Sequence, residues 1–250
     1  MRLFEAVMLF IAGIGAGTIN TVVGSGSLIT FPALLAFGYA PLTANMSNNL
    51  GVLPGSISGA IAYRHELSTQ WPRVIRLASL SLVGGLAGAL LLLRLPPAAF
   101  KSIVPVLILL AVVLVIFQPW LRKRAAQREV RPRRNGVIRI TGVFLTGVYG
   151  GYFGAAQGVL LMALLGMVID EGIQRLNALK IMLATTANTA AAIVFIVRGG
   201  ISWEAAGVIA VGSIIGGQLG AHIGRRLPAA VYRAVIVIVG LTAFFKLVLS

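Results

Sequence analysis

The chain has 250 residues, of which 58% are hydrophobic and 11% charged, and its formal net charge is +15. A soluble domain carries about a quarter charged residues, so this composition excludes a water-covered globule and leaves no room for a separate soluble domain. The absence of cysteine excludes disulfides and thiolate metal sites, and the two histidines, His65 and His222, are too few for a histidine-rich one.

Apolar segments recur from end to end, and a membrane span needs about 20 such residues. In chain order the expected segments are 3–21, 28–38, 42–63, 73–93 and 97–117, then 136–152, 160–169, 174–197, 202–223 and 229–249. Residues 1–20 are read as the first span and not as a signal peptide, because they align with 133–152 further along the chain. The second segment, 28–38, reaches only about 16 Å as a helix. It is half of a broken span, preceded by the non-helical stretch Gly24-Ser25-Gly26-Ser27. Segment 160–169 is its counterpart, preceded by Gly154-Ala155-Ala156-Gln157-Gly158. Pro41, Pro72, Pro97 and Pro228 open spans, where a missing N–H costs nothing.

The two sets of segments are one unit written twice, at a spacing of 132 residues. Gly15 answers Gly147, Gly26 answers Gly158, Asn45 answers Asn177, and Trp71 answers Trp203. The run Gly84 to Ala89 answers Gly216 to Ala221, and Arg94-Leu95-Pro96 answers Arg226-Leu227-Pro228. The expected organisation is a first membrane repeat over 1–118, a basic cytoplasmic linker over 119–132 and a second repeat over 133–250. Paired membrane repeats are the usual scaffold of secondary transporters, with the substrate site between the halves.

The positive charge gathers at span ends, above all in Arg122-Lys123-Arg124, Arg128, Arg131 and Arg133-Arg134. In a soluble protein it would suggest nucleic acid; in this one it is a topology signal, and no nucleic-acid partner is expected. If each short segment completes a crossing, the repeats are inverted; if each is re-entrant, they are parallel. Inversion puts Arg64, Arg73, Arg76, Arg175, Lys180, Arg225, Arg226 and Arg233 towards the cytoplasm, against Arg2, Arg94, Lys101, Arg198 and Lys246 outside. The parallel arrangement loses that bias. The expected fold is therefore all-α, with two inverted repeats of about five helical segments each.

Unwound backbone in a membrane must line a polar cavity or be buried in protein. Two such breaks meeting near the midplane would aim free N–H groups and positive dipole ends at one point, which favours an anion. Ser25, Ser27 and Gln157 add side-chain donors. The third segment of each unit is the other polar element: Asn45 and Asn48 on one, Asn177, Lys180 and Asn188 on the other. Lys180 reads either as an inward cation or as a side chain snorkelling to the cytoplasmic face. The candidate substrate-binding residues are thus Gly24, Ser25, Gly26, Ser27, Asn45, Asn48, Ala156, Gln157, Gly158, Asn177, Lys180 and Asn188. All six carboxylates, Glu5, Glu66, Glu129, Asp170, Glu171 and Glu204, fall near span ends or in the linker. That argues against a cation carrier or a carboxylate-coupled proton pump. Asp170 is placed near a helix N-cap. No catalytic residue, metal site or cofactor is expected.

The run Val22 to Leu34 (Val-Val-Gly-Ser-Gly-Ser-Leu-Ile-Thr-Phe-Pro-Ala-Leu), with Ala44-Asn45 and Leu53-Pro54-Gly55, resembles the sulfite exporter TauE/SafE family. So does Gly150 to Gly158, with Asn177-Ala178-Leu179-Lys180 downstream. The resemblance covers the whole chain. It implies a bacterial inner-membrane permease for small anions such as sulfite, thiosulfate, sulfoacetate or related sulfonates, with exporters and importers among its members. The family's polar motifs fall here on Gly24 to Ser27, Asn45, Asn48, Gly154 to Gly158, and Asn177 to Lys180.

The expected function is export of sulfite or an organosulfonate by alternating access. Three rivals stay open: an importer of thiosulfate or carboxylates coupled to H⁺ or Na⁺, an anion channel, and a membrane scaffold for a partner enzyme. The expected partners are a small anion and the bilayer; self-association in the membrane is left open.

Overall fold

The structure is a computed structural model that describes residues 1–68, 70–126, 132–223 and 229–249. Ten α-helices carry the described chain: α1 (Leu3–Val22), α2 (Ser27–Ala36), α3 (Pro41–Ala62), α4 (Trp71–Arg94), α5 (Pro97–Ala126), α6 (Pro132–Tyr152), α7 (Gln157–Val168), α8 (Ile173–Arg198), α9 (Trp203–Ile223) and α10 (Ala229–Leu249). A 3-10 turn, Arg64–Leu67, joins α3 to α4. Arg122, Lys123 and Arg124 belong to the last turns of α5, where the Arg124 guanidinium lies 4.6 Å over the Trp120 ring. Arg128 and Arg131 of the basic linker, and Arg225 to Pro228, lie outside the described residues.

Six helices (α1, α4, α5, α8, α9 and α10) are long and apolar enough to cross a bilayer. Both short segments are helices of half length, 10 residues in α2 and 12 in α7. Polar side chains dilute the apolar character of α3: Asn45, Ser47, Asn48, Ser56 and Ser58 are all buried inside the protein. A helix that hides such groups among its neighbours keeps them from lipid, where each would be costly.

Packing follows a reciprocal scheme. α1 lies chiefly on α9 and α6 on α4; α3 lies on α9 and α8 on α4; α5 packs against α7 and α10 against α2. The buried Ser81 hydroxyl on α4 donates to Leu183 O of α8 at 2.7 Å, and the buried Ser213 hydroxyl on α9 donates to Gly51 O of α3 at the same distance. Small residues permit this closeness, as is usual where helices meet in lipid. A β-carbon at Gly13 would stand 2.7 Å from Ile209 O, and one at Gly217 would stand 2.5 Å from Gly55 O.

The helix starts are sorted between the two ends of the bundle. At one end the Met1 amine meets Glu204 at 3.0 Å, the Tyr39 hydroxyl donates to Glu5 at 2.7 Å and the Ser202 N–H donates to Ser47 at 2.9 Å. These contacts gather the starts of α1, α3 and α9. Arg73 at the start of α4 meets Glu171, just before α8, at 3.0 Å, and Arg139 of α6 lines the same cleft as Arg73. The starts of α4, α6 and α8 therefore share the opposite end, to which α3 delivers the chain.

Candidate functional site

Each half-helix begins where glycine lets the chain turn. Gly24 has φ +89° and Gly154 has φ +75°, a region open to glycine at little cost. Ala156 occupies the same left-handed region, with φ 60°, at the N-cap of α7. It is the counterpart of Gly24 at the 132-residue spacing, so both breaks bend alike even where one lacks glycine. The breaks touch. The Gly158 N–H donates to Gly24 O at 3.0 Å, and a β-carbon at Gly158 would lie 2.5 Å from Gly24 Cα.

Two small cavities flank this contact. One, of about 20 Å³, is lined by Asn20, Gly24, Ser27, Asn48, Asn49, Val52, Phe153, Gly154, Gln157, Gly158, Ala184 and Asn188. That is room for roughly one water-sized group. The other, of about 10 Å³, is lined by Asn20, Thr21, Gly24, Ser56, Gly158, Lys180, Ile181, Ala184 and Thr185. Among the described residues neither has a carboxylate in its wall. The Phe31 and Phe153 rings meet edge to face, 5.3 Å apart, where α2 passes the second break.

Of the residues singled out from sequence, Gly24, Ser27, Asn48, Gln157, Gly158 and Asn188 share the first cavity, and Lys180 reaches the second. Lys180 is 1% exposed, and its Nζ donates to Thr21 O at 3.3 Å, so it points inward and does not snorkel. The other five lie apart from both cavities. Ser25 is buried with an unpartnered hydroxyl. Gly26 packs α2 against α1, where a β-carbon would stand 2.9 Å from Asn20 Cβ. Asn45 donates to Tyr152 O at 3.1 Å, closing a free carbonyl at the end of α6. Ala156 serves the bend, and Asn177 is half-buried with an unpartnered Oδ1. The N-cap of α8 falls on Gly172, two residues past Asp170.

The donor pattern departs from the sequence expectation at α7. Its leading N–H groups are engaged: Gln157 N–H by Gly154 O, Gly158 N–H by Gly24 O and Val159 N–H by Ala156 O. The Gln157 side chain donates its Nε2 to Thr146 O at 3.2 Å, which leaves the acceptor Oε1 unpartnered. Donors come from the other side. The Thr30 hydroxyl holds Asn48 Oδ1, so the Asn48 amide N–H groups are left for the cavity. Sequence reading missed Asn20, which donates to the Ser56 hydroxyl at 2.7 Å, and Ser56 itself. Ser56 is the repeat counterpart of Asn188 and could have been found through it; Asn20 answers Tyr152, a change of type that hides it.

A family model described as sulfite exporter TauE/SafE matches residues 9–247. The chain is 28% identical to the probable membrane transporter protein ORF9 of a Sinorhizobium species, over 96% of this chain and 90% of that one. It is also 28% identical to the probable membrane transporter protein YfcA of Escherichia coli K12, over 96% and 88%. A probable membrane transporter protein of Haemophilus influenzae is 27% identical over 96% and 93%. No solved structure matches the chain. With matches that run nearly end to end and six helices fit to cross a bilayer, this multi-pass protein of the bacterial inner membrane is a membrane transporter, not an enzyme, and belongs to the sulfite exporter TauE/SafE family.

Proposed function

We propose that the protein exports sulfite or a small organosulfonate, such as sulfoacetate, by alternating access around the meeting point of α2 and α7. The observation that carries this reading is the contact of two duplicated helix breaks at Gly24 and Gly158, beside a cavity walled by amides and hydroxyls without a carboxylate. At the start of α2 the Leu28 and Ile29 N–H groups are taken by Ser25 O and Gly26 O, so the Ser27 hydroxyl and, from α3, the Asn48 amide supply the donors to an oxyanion. The unpartnered Oε1 of Gln157 and Oδ1 of Asn49 ask for a donor in return. An oxyanion that carries an O–H, such as hydrogen sulfite, meets both demands.

The repeats, 1–118 and 133–250, are inverted in this reading. Support comes from the helix starts: those of α1, α3 and α9 lie at one end, those of α6, α8 and α4 at the other. On that sorting α1, α3 and α4 run against their counterparts α6, α8 and α9. A cavity of about 20 Å³ is too small for a four-atom oxyanion, so the conformation is a closed one, and entry requires α2 and α7 to part. Rocking one unit against the other accomplishes that.

An anion leaving a negative-inside cell gains about 2.3 kcal/mol per charge per 100 mV, so efflux needs no coupling ion. The test is sulfite flux from proteoliposomes under an imposed potassium-diffusion potential. Flux should rise as the sulfite-containing lumen is made negative and fall when the sign is reversed. Flux that ignores the potential but demands a proton or sodium gradient would replace this reading with a coupled carrier.

A further inference from the structure

At the end of the bundle where α4, α6 and α8 begin, a cleft of about 340 Å³ opens between α4 and α6. Pro72, Arg73, Arg76 and Leu77 line it from α4; Arg139 and Ile140 line it from α6. Its chemistry is divided: three guanidinium-bearing side chains and a strip of apolar ones. Arg73 and Arg76 are three residues apart and so share one helix face, opposite Arg139.

These arginines are not demanded by packing. The 132-residue repeat places Ala205, Val208 and Val7 at the equivalent positions of the α9/α1 contact, which packs in the same manner with no charge at those three positions. Nor does internal pairing absorb them. Arg73 is held by Gln70 and Glu171, each through Nη1. Among the described residues no carboxylate pairs with Arg76 or Arg139. Three cations converge on one open space at a span end, with one carboxylate to offset them.

The surroundings say what fills it. Ile75, next to Arg76, and Val137, two residues before Arg139, are exposed, and Ile140 is 38% exposed on the cleft's own wall. Exposed apolar residues on the spanning helix α4, and on α6 where it packs along α4, face acyl chains. A ligand at this level therefore meets guanidinium groups with one end and hydrocarbon-facing side chains with the other. Basic pockets between spans at the cytoplasmic side have that character, and arginine binds phosphate oxygens in pairs.

We propose that this cleft is a binding site for an anionic phospholipid, with the headgroup phosphate held by Arg76 and Arg139, supported by Arg73, and the acyl chains lying along Ile75, Val137 and Ile140. The site is separate from the α2/α7 cavity and does not depend on the transport reading. Its role is to fix α4 against α6, and through Glu171 to brace α8, from the lipid side.

The test uses the purified full chain in nanodiscs of phosphatidylcholine, with phosphatidylglycerol titrated in and retained lipid counted by native mass spectrometry. Phosphatidylglycerol should be retained in preference to phosphatidylcholine. Arg76→Gln combined with Arg139→Gln should weaken that retention by about tenfold or more, while Arg94→Gln, at the other end, should leave it unchanged. Should the double variant not fold, Arg76→Gln alone makes the same comparison with a smaller step. Equal retention of the two lipids, or retention that survives both substitutions, overturns the proposal. So does displacement of the lipid by inorganic phosphate at millimolar concentration, which would make this a site for the free anion. Sulfite flux in pure phosphatidylcholine tests the transport reading independently.

Discussion

Gly24 and Ala156 stand at equivalent positions with the same left-handed backbone, yet the consequences of changing them differ. At Gly24 a side chain meets both an unfavourable φ, costing about 1–2 kcal/mol, and the Gly158 backbone 2.5 Å away. Gly24→Ala should therefore lower the melting temperature in detergent and abolish flux together. Ala156→Gly relieves the same strain, but glycine's larger loss of freedom on folding takes back about 0.5–1 kcal/mol. Its melting temperature should stay close to that of the parent protein. Gly207, with nothing within 4 Å of its β-position and a helical backbone, is the control; Gly207→Ala should be neutral or mildly stabilising. Lys180 makes a different residue-scale case. It is buried in the wall of the second cavity and donates to Thr21 O, at the end of α1 ahead of the first break. Lys180→Met keeps the length and removes the cation, so anion flux should fall at least tenfold while the folded protein survives purification; unchanged flux would remove Lys180 from the substrate path.

Helix-to-helix fastening depends on a few polar contacts. Ser213 reaches from α9 into α3 beside Pro54, accepting the Gly55 N–H at 3.2 Å while donating to Gly51 O. A side chain inserted at a proline position is one of the identifiable causes of helix bending. Ser213→Ala leaves a buried N–H to find another partner, a loss of about 1–3 kcal/mol, measurable as reduced denaturation resistance. At the start of α4 and α8, Glu171 is clasped by Arg175 and Arg73, each at 3.0 Å. The hydrogen bond from Arg175, with help from Arg73, holds its carboxyl below the ordinary carboxylate range. A carboxylate stabilised when folded contributes above its unfolded pKa, and that contribution is lost as pH falls through the lowered folded value. Glu171→Gln should thus be less stable than the parent protein at neutral pH, and the two should converge on acidification below the ordinary carboxylate range. A proton-coupled carrier would need a carboxylate that titrates near working pH, and this clasp holds Glu171 away from that range.

For the molecule as a whole, the sorted helix starts fix an orientation that labelling can check. The native chain has no cysteine, so single substitutions report without a modified background. Ala98, at the start of α5, and Ser68, just after the 3-10 turn, are both exposed at opposite ends of the bundle. With the Arg73, Arg76 and Arg175 end facing the cytoplasm, a membrane-impermeant maleimide added to intact cells should label Ala98→Cys and spare Ser68→Cys. The reverse pattern would turn the protein over in the membrane and overturn the assignment of the arginine-rich end to the cytoplasm.

The membrane class, the helical segments and the two breaks were legible along the chain, because those depend on local composition, on glycine placement and on a repeat visible at one spacing; the family entered through the resemblance carried by Val22 to Leu34 and Gly150 to Gly158. Asn45 shows where that legibility stops: its repetition as Asn177 marked it as important, but its amide closes the α6 terminus and does not face the cavity. Gln157 shows it again, since only its neighbour Thr146 O decides that the free atom is an acceptor and not a donor. Asn20 and the arginine-lined cleft were invisible, as neither is repeated and each acquires meaning from a helix distant in sequence. Tertiary structure alone decided which groups face the central cavity and with which polarity, because a hydrogen bond's partner is set by distance in space, on which spacing along the chain is silent.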